Sequence, residues 1–358
     1  MKQLLKNSFR GVAITIAATL LCISCDEWSE PESVEIHSPE LEEKNPALYA
    51  AYLQALRDYR MSEHRVTIVK FDNKSSEPAG QAERLTALPD SVDYVILKNP
   101  ESLSVVTAGE MQDILDKKGI KTLYSVSYDV IDDEYAVYKD EWITEHPESG
   151  NGEMKPFDVF LTERLDHYLS LFGKQAFAGI NFCYYGVFPL SLDDKTRAAL
   201  KAAQEIFFSR MLDWIEKHPD KEVFFEGVPF NMLYDVKVLE KCRFIIISGL
   251  DASNKNELSY AVQIALTDGC PVDRIVIGVS TPSISDPTKD TGLFAGTYAD
   301  GSRIRAIDAA SEWVIVPSED FLKAGICVEE AQNDYYESQI DYKYIRKAIG
   351  TMNPSPIN

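Results

Sequence analysis

The stretch Phe177-Ala178-Gly179-Ile180-Asn181-Phe182-Cys183-Tyr184-Tyr185-Gly186 is where residue types and spacing speak most directly to chemistry. Its aromatic and apolar character is that of a strand. A strand alternates its side chains between two faces, so Asn181, Cys183 and Tyr185 share one face, while Tyr184 points the other way, toward packing. The shared face offers an amide, a thiol and a phenol, and no carboxylate. A phenol with an ordinary pKa of about 10 is a poor proton donor, and a thiol cannot accept a charge-assisted hydrogen bond as a carboxylate does. Such a face is suited to hydrogen bonding and to stacking rather than to acid–base work.

The elements that would position this face can be read from apolar runs. Eight strand candidates fall at 66–71, 94–97, 122–126, 179–184, 223–225, 244–247, 275–279 and 326–328. Helical periodicity appears between several of them, at 108–118, 157–172, 195–217 and 257–267, and in a helix at 46–60 before the first. The segment around Trp313 also reads as helix, and Trp313 and Trp214 read as core. Strands alternating with amphipathic helices predict a parallel sheet, and eight such units predict an α/β fold, a single-domain (β/α)8 TIM barrel. Phe71-Asp72-Asn73-Lys74 after the first strand contains no glycine, which excludes a dinucleotide-binding turn. Two polar segments, 129–155 and 281–301, read as loops after the third and seventh strands, on the face of a barrel where ligands bind.

The stretch at 177–186 resembles the signature of glycoside hydrolase family 18, in which Asp-Gly is followed at alternate positions by two further aspartates and a glutamate. Gly179 matches. Ala178 stands for the first acid, Asn181 for the second, Cys183 for the third and Tyr185 for the catalytic glutamate. Family members cleave N-acetylglucosamine linkages with help from the substrate's own acetamido group: the glutamate protonates the leaving oxygen and the neighbouring aspartate steadies the acetamide. With both roles vacant, the resemblance implies a catalytically inactive barrel. Ser62–Ile68, Leu88–Asp93, Asp341–Ile349 and Met352-Asn353-Pro354 are likewise similar to family 18-like lipoproteins encoded with glycan-uptake systems of Bacteroidetes, and the resemblance spans 45–356.

A barrel mouth without acids can still hold a sugar, whose C–H faces stack on aromatics and whose hydroxyls pair with amides and carboxylates. The strand ends offer Phe71 and Asp72 from the first, Tyr128 from the third, Asn181 and Tyr185 from the fourth, and Glu226 and Asn231 from the fifth. The expectation is that Tyr185 and Tyr128 contact a glycan while Asn181 and Glu226 fix its hydroxyls. The resemblance implies N-acetylglucosamine-containing glycans, N-glycans among them. One rival is an active glycosidase with Glu226 as a relocated general acid and Asp72 as its partner. Another is a protein-binding scaffold within an outer-membrane uptake complex.

The N-terminus says where this would happen. Lys2, Lys6 and Arg10 precede an apolar run at 12–23 that is too short to span a bilayer, the pattern of a signal peptide at 1–24. Ser24-Cys25 at its end resembles a lipoprotein cleavage site, with Cys25 the lipid-bearing residue. The acidic, polar 25–44 segment reads as a tether, and its acids resemble a surface-export signal, so the expected location is the outer membrane, facing out. The chain carries 36 basic and 57 acidic residues, a net charge of −21, which disfavours nucleic acid as a partner. Cys183, Cys242, Cys270 and Cys327 are widely spaced, without a zinc or redox motif, and read as buried free thiols. No cofactor or metal is implied: the five histidines lack paired spacing and Asp132-Asp133-Glu134 lacks that of a calcium loop.

Overall fold

A computed structural model describes residues 44–73, 77–146, 153–286, 288–336 and 340–354. The chain forms two compact units, residues 1–51 and 52–358. The signal-peptide segment, Cys25 and the tether up to residue 43 lie outside the described residues. The described part of the first unit is helical from residue 46, and that helix, α1, spans Pro46–Met61.

The second unit contains the strands of the described residues, β1 (Val66–Phe71), β2 (Tyr94–Leu97), β3 (Lys121–Ser127), β4 (Gly179–Tyr184), β5 (Glu222–Gly227), β6 (Phe244–Ser248), β7 (Ile275–Ser280), β8 (Leu293–Thr297), β9 (Arg303–Arg305) and β10 (Lys323–Glu329). Eight of them close into a parallel barrel, β1 through β7 in chain order and then β10 back against β1. All eight expected strands are present in the expected order, and the (β/α)8 architecture holds. The helices are α2 (Val105–Asp113), α3 (Tyr128–Glu145), α4 (Phe157–Ser170), α5 (Asp194–Lys217), α6 (Lys255–Ala265), α7 (Ala306–Ile315) and α8 (Lys343–Met352). Their starts are fixed by side chains that accept from free backbone amides: Ser104 from Thr107 at 3.0 Å, Asp193 from Lys195 at 2.9 Å, and Asn254 from Asn256 at 3.0 Å.

Period two sorts the strand residues into two cores. Ile68, Ile96, Leu123, Phe224, Ile246, Val276 and Cys327 fill the lumen. Val69, Val95, Ile180, Phe182, Phe225, Ile277 and Val328 face outward under the helices. All four cysteines of the barrel are free and buried.

Two expectations are corrected. Residues 128–145 are not a loop but α3, which starts directly at the end of β3 with Ser127 as its cap. Its polar composition hid a helical stripe: Tyr128 and Ile131 are buried, and Tyr135 and Tyr138 pack on Phe157 and Phe160 of α4. The 281–301 segment is not all loop, since β8 pairs antiparallel with β9.

Gly179 has a packing reason for being glycine. A methyl group there would strike the backbone carbonyl of Glu222 on β5 and come within 2.8 Å of the Glu222 Cβ. Gly179→Ala is therefore expected to destabilise the barrel by about 1–3 kcal/mol, read as a lowered urea midpoint with an unchanged slope. A neutral result would contradict the close approach of β4 and β5.

Candidate functional site

The fourth-strand face delivers what its alternation predicts. Asn181 and Cys183 point into the lumen, and Tyr185 follows at the C-terminal rim. Cys183 lies beside Glu226 in the β4–β5 ladder. All three converge on that carboxylate. Asn181 Nδ2 donates to Glu226 Oε2 at 2.7 Å, Tyr185 OH donates to Oε1 at 2.6 Å, and Cys183 Sγ lies 3.7 Å from Oε2.

The group that balances Glu226 was not singled out in the sequence. Lys70 lies on β1, four strands away around the barrel and so across the lumen, and its ammonium pairs with both Glu226 and Glu329, the latter at 2.7 Å. Glu329 also accepts from Lys98 at 3.3 Å, and Lys98 pairs with Glu330. An alternating line of charges thus runs from the buried centre to the rim: Glu226, Lys70, Glu329, Lys98, Glu330. The signal in the sequence was a lysine inside the apolar run 66–71, on the same face as Val66 and Ile68.

The charges set one another's protonation. Burial alone would push the Glu226 carboxyl up, but the Lys70 charge and the hydrogen bonds from Lys70, Tyr185 and Asn181 outweigh it, and it lies below the ordinary glutamate value. Burial would likewise push Lys70 down, and the charges of Glu226 and Glu329 reverse this and hold it well above the ordinary lysine value. Burial, with Glu226 beside them, raises both the Cys183 thiol and the Tyr185 phenol. At neutral pH the centre therefore holds an ionised Glu226, a protonated Lys70, a neutral thiol and a neutral phenol.

Tyr185 is fixed by its backbone as well. Asp129, in the first turn of α3, accepts from the amides of Tyr185 and Gly186, both at 2.8 Å. Asn231 Nδ2 donates to the Tyr185 carbonyl at 2.7 Å. Gly186 takes a left-handed φ of 55° beneath the Tyr184 ring, where a side chain would collide.

A family model, glycoside hydrolase family 18, BT1044-like, matches residues 29–351. The chain belongs to this family. The solved structure of a selenomethionine form of BT1044 with a glutamate-to-glutamine substitution is 16% identical, covers 88% of this chain and 96% of its own, and has a TM-score of 0.58. The family 18 chitinase ChiB from the chitin utilization locus of Flavobacterium johnsoniae is 9% identical over 80% of this chain and 94% of its own, with a TM-score of 0.47. YKL-39, solved with chitooligosaccharides, is 13% identical over 81% of this chain and 100% of its own, with a TM-score of 0.45. No curated protein matches the chain in sequence.

Set on this family 18 barrel, the residues expected at the mouth divide. Asn181, Tyr185 and Glu226 are brought together, but Asn181 and Glu226 are 0% and 3% exposed and are bonded to each other. Asp72 sits at the rim and accepts from Asn99 Nδ2 at 3.0 Å, apart from the groups that contact Glu226 among the described residues. Asn231 holds the loop after β4 rather than presenting its amide outward. Phe71 and Tyr128 are corrected. Phe71 alternates with the inward Lys70 and so faces the helices. Tyr128 packs edge-on against Tyr184, Phe157 and Phe207 in the same outer core. Phe188 and Phe230, which the sequence reading passed over, stand on the loops after β4 and β5. They are 43% and 46% exposed, with rings 5.7 Å apart and only 7° from parallel.

Removing Lys70 would leave Glu226 buried without its counter-charge. Lys70→Met is expected to cost about 3–5 kcal/mol at pH 7. The sign of the pH dependence follows from Glu226. With Lys70 present its folded value is depressed, so its contribution is in place above the unfolded carboxylate value and is lost as pH falls through the folded one. With Lys70 gone burial dominates and the folded value rises, so the variant takes up a proton on Glu226 and its deficit shrinks between pH 7 and pH 5. Urea melts at both values, with Lys70→Met/Glu226→Gln expected to recover part of the loss, check this. A deficit that is constant with pH would contradict the pairing.

Proposed function

We propose that this family 18 protein is a catalytically silent, surface-anchored lipoprotein that holds N-acetylglucosamine-containing glycans, N-glycans among them, for uptake. The observation that carries this reading is the fate of the motif. The position of the catalytic glutamate is occupied by Tyr185, whose phenol is spent on Glu226, and that of its neighbour by Cys183, a neutral buried thiol. Neither can protonate a glycosidic oxygen or steady an acetamide at neutral pH.

The rival with Glu226 as a displaced general acid has the opposite requirement. A general acid must be protonated and within reach of the leaving oxygen, with a pKa brought up toward the working pH. Glu226 is held ionised by Lys70 and lies beneath Tyr185.

Ligand contact then moves outward from the lumen. The Tyr185 ring, with Glu226 and Asn181 behind it, forms the floor. Phe188 and Phe230 form an apolar wall on the adjoining loops, an exposed aromatic pair of the kind on which sugar faces stack. The lipid on Cys25 would hold this surface outside the cell, beside the other proteins of an uptake complex.

Calorimetry with a chitobiose-containing N-glycan is expected to show saturable binding, weakened at least tenfold, about 1.4 kcal/mol, by Phe188→Ala/Phe230→Ala. Chromatography of the same mixture is expected to show the glycan uncut. Release of sugar that disappears in Glu226→Gln would replace this reading with that of an active glycosidase, and no heat with any such glycan would remove the ligand. Metabolic labelling with an alkynyl fatty acid is expected to tag the protein and to fail in Cys25→Ser.

A further inference from the structure

The opposite end of the barrel carries a cavity that the glycan reading does not use. It lies at the N-terminal face, with a volume of about 420 Å³, within the range of roughly 300–1,000 Å³ typical of small-molecule sites. Its floor is aromatic. Tyr94 and Phe244 meet edge to face, 6.1 Å apart, and Phe224 closes the lumen behind them at 4.9 Å and 5.3 Å. The Arg243 guanidinium stands over both rings, 5.8 Å from Tyr94 and 5.6 Å from Phe244.

Its walls are cationic, against the trend of a chain with net charge −21. Arg57, Arg60, Lys121 and Arg243 line it, with two carboxylates, Glu63 and Asp93. Asp93 is already committed, accepting from His64 Nε2 at 2.9 Å and from the Thr67 amide at 2.8 Å. Lys121 and Arg243 share one neighbouring carboxylate, that of Glu222, which leaves one of the two charges uncompensated. Among the described residues, the Arg57 guanidinium donates to neutral oxygens, those of Gln54 at 3.0 Å and Lys117 at 3.4 Å. Arg60 is clamped through its terminal nitrogens to the carbonyls of Leu56, Asp90 and Val92, so it adds positive charge to the wall from a fixed position.

We propose that this cavity binds a small amphipathic organic anion: a flat apolar body on Tyr94 and Phe244, with a carboxylate held by Arg243 and Arg57. Guanidinium groups match a carboxylate in planar, two-point geometry, and the aromatic floor favours a flat hydrophobic body over a bare inorganic ion. The entrance is on the face opposite the glycan mouth, so both ligands could be carried at once.

Calorimetry with three probes on the full-length protein tests this. 2-Naphthoate carries both body and charge, 2-naphthamide the body alone, and inorganic phosphate the charge alone. The expected result is one-to-one binding of 2-naphthoate, at least tenfold weaker binding of 2-naphthamide, and no displacement by equimolar phosphate. Arg243→Gln and, separately, the more peripheral Arg57→Gln are each expected to weaken 2-naphthoate at least fivefold while N-glycan binding is unchanged. Should Arg243→Gln fail to fold, Arg57→Gln decides. Absence of saturable binding, equal binding of acid and amide, or indifference to Arg57→Gln would each overturn the proposal. Competition by phosphate at equal concentration would also overturn it, by showing a plain anion site.

Discussion

Lys70 and Glu226 stand on opposite staves of the barrel, and the buried Glu226 carboxylate takes its counter-charge from Lys70. Moving a carboxylate or an ammonium out of water costs several kcal/mol even after relaxation, and only close pairing with further hydrogen bonds repays it. Every neighbouring feature of the mouth can be read as meeting that demand. Asn181 and Tyr185 donate to Glu226, Glu329 gives Lys70 a second carboxylate, and Lys98 and Glu330 carry the alternation of charge out to solvent. The pair also spans the lumen, so the ends of β1 and β5 are tied together.

This constraint gives a physical account of the altered motif. A carboxylate at 183 or 185 would add negative charge beside Glu226, where one lysine already serves two glutamates. A thiol and a phenol add none, and the phenol supplies a donor that a carboxylate would lack. Cys183, Tyr185 and Lys70 are therefore electrostatically consistent with one another: the strand face solvates a buried anion whose charge Lys70 meets. Asn181 fits the same pattern, because its amide donates to Glu226 where an aspartate would repel it.

The barrel was legible because its signals are local. Eight apolar runs and their intervening helical stripes follow from period and composition, and each run became a strand in the expected place. The convergence of Asn181, Cys183 and Tyr185 was legible for the same reason, being a matter of alternation along one strand. What failed were judgements made on polarity or on position at a strand end. The acidic 129–155 segment masked a helix whose inner side is only Tyr128, Ile131 and the half-buried Tyr135 and Tyr138, and Phe71 and Tyr128 sit at strand ends but on the outward face. Lys70 was missed because its meaning is non-local. Nothing within the run 66–71 announces a partner 156 residues away; only closure of the barrel brings β1 across from β5.

The two ends of the lumen are closed by different physics, and that difference bears on what each can do. At the mouth, charge satisfies charge, and the atoms most capable of chemistry are engaged with one another. The surface left for a partner there is the rim, where Phe188 and Phe230 remain exposed. At the floor, Tyr94, Phe224 and Phe244 seal the barrel with rings, and the cations gathered below them outnumber their carboxylates. A centre that has satisfied itself gains little from a ligand, whereas a site with surplus positive charge gains from an anion. On that argument, the balance of unsatisfied groups, rather than the ancestry of the fold, indicates where this barrel can still bind.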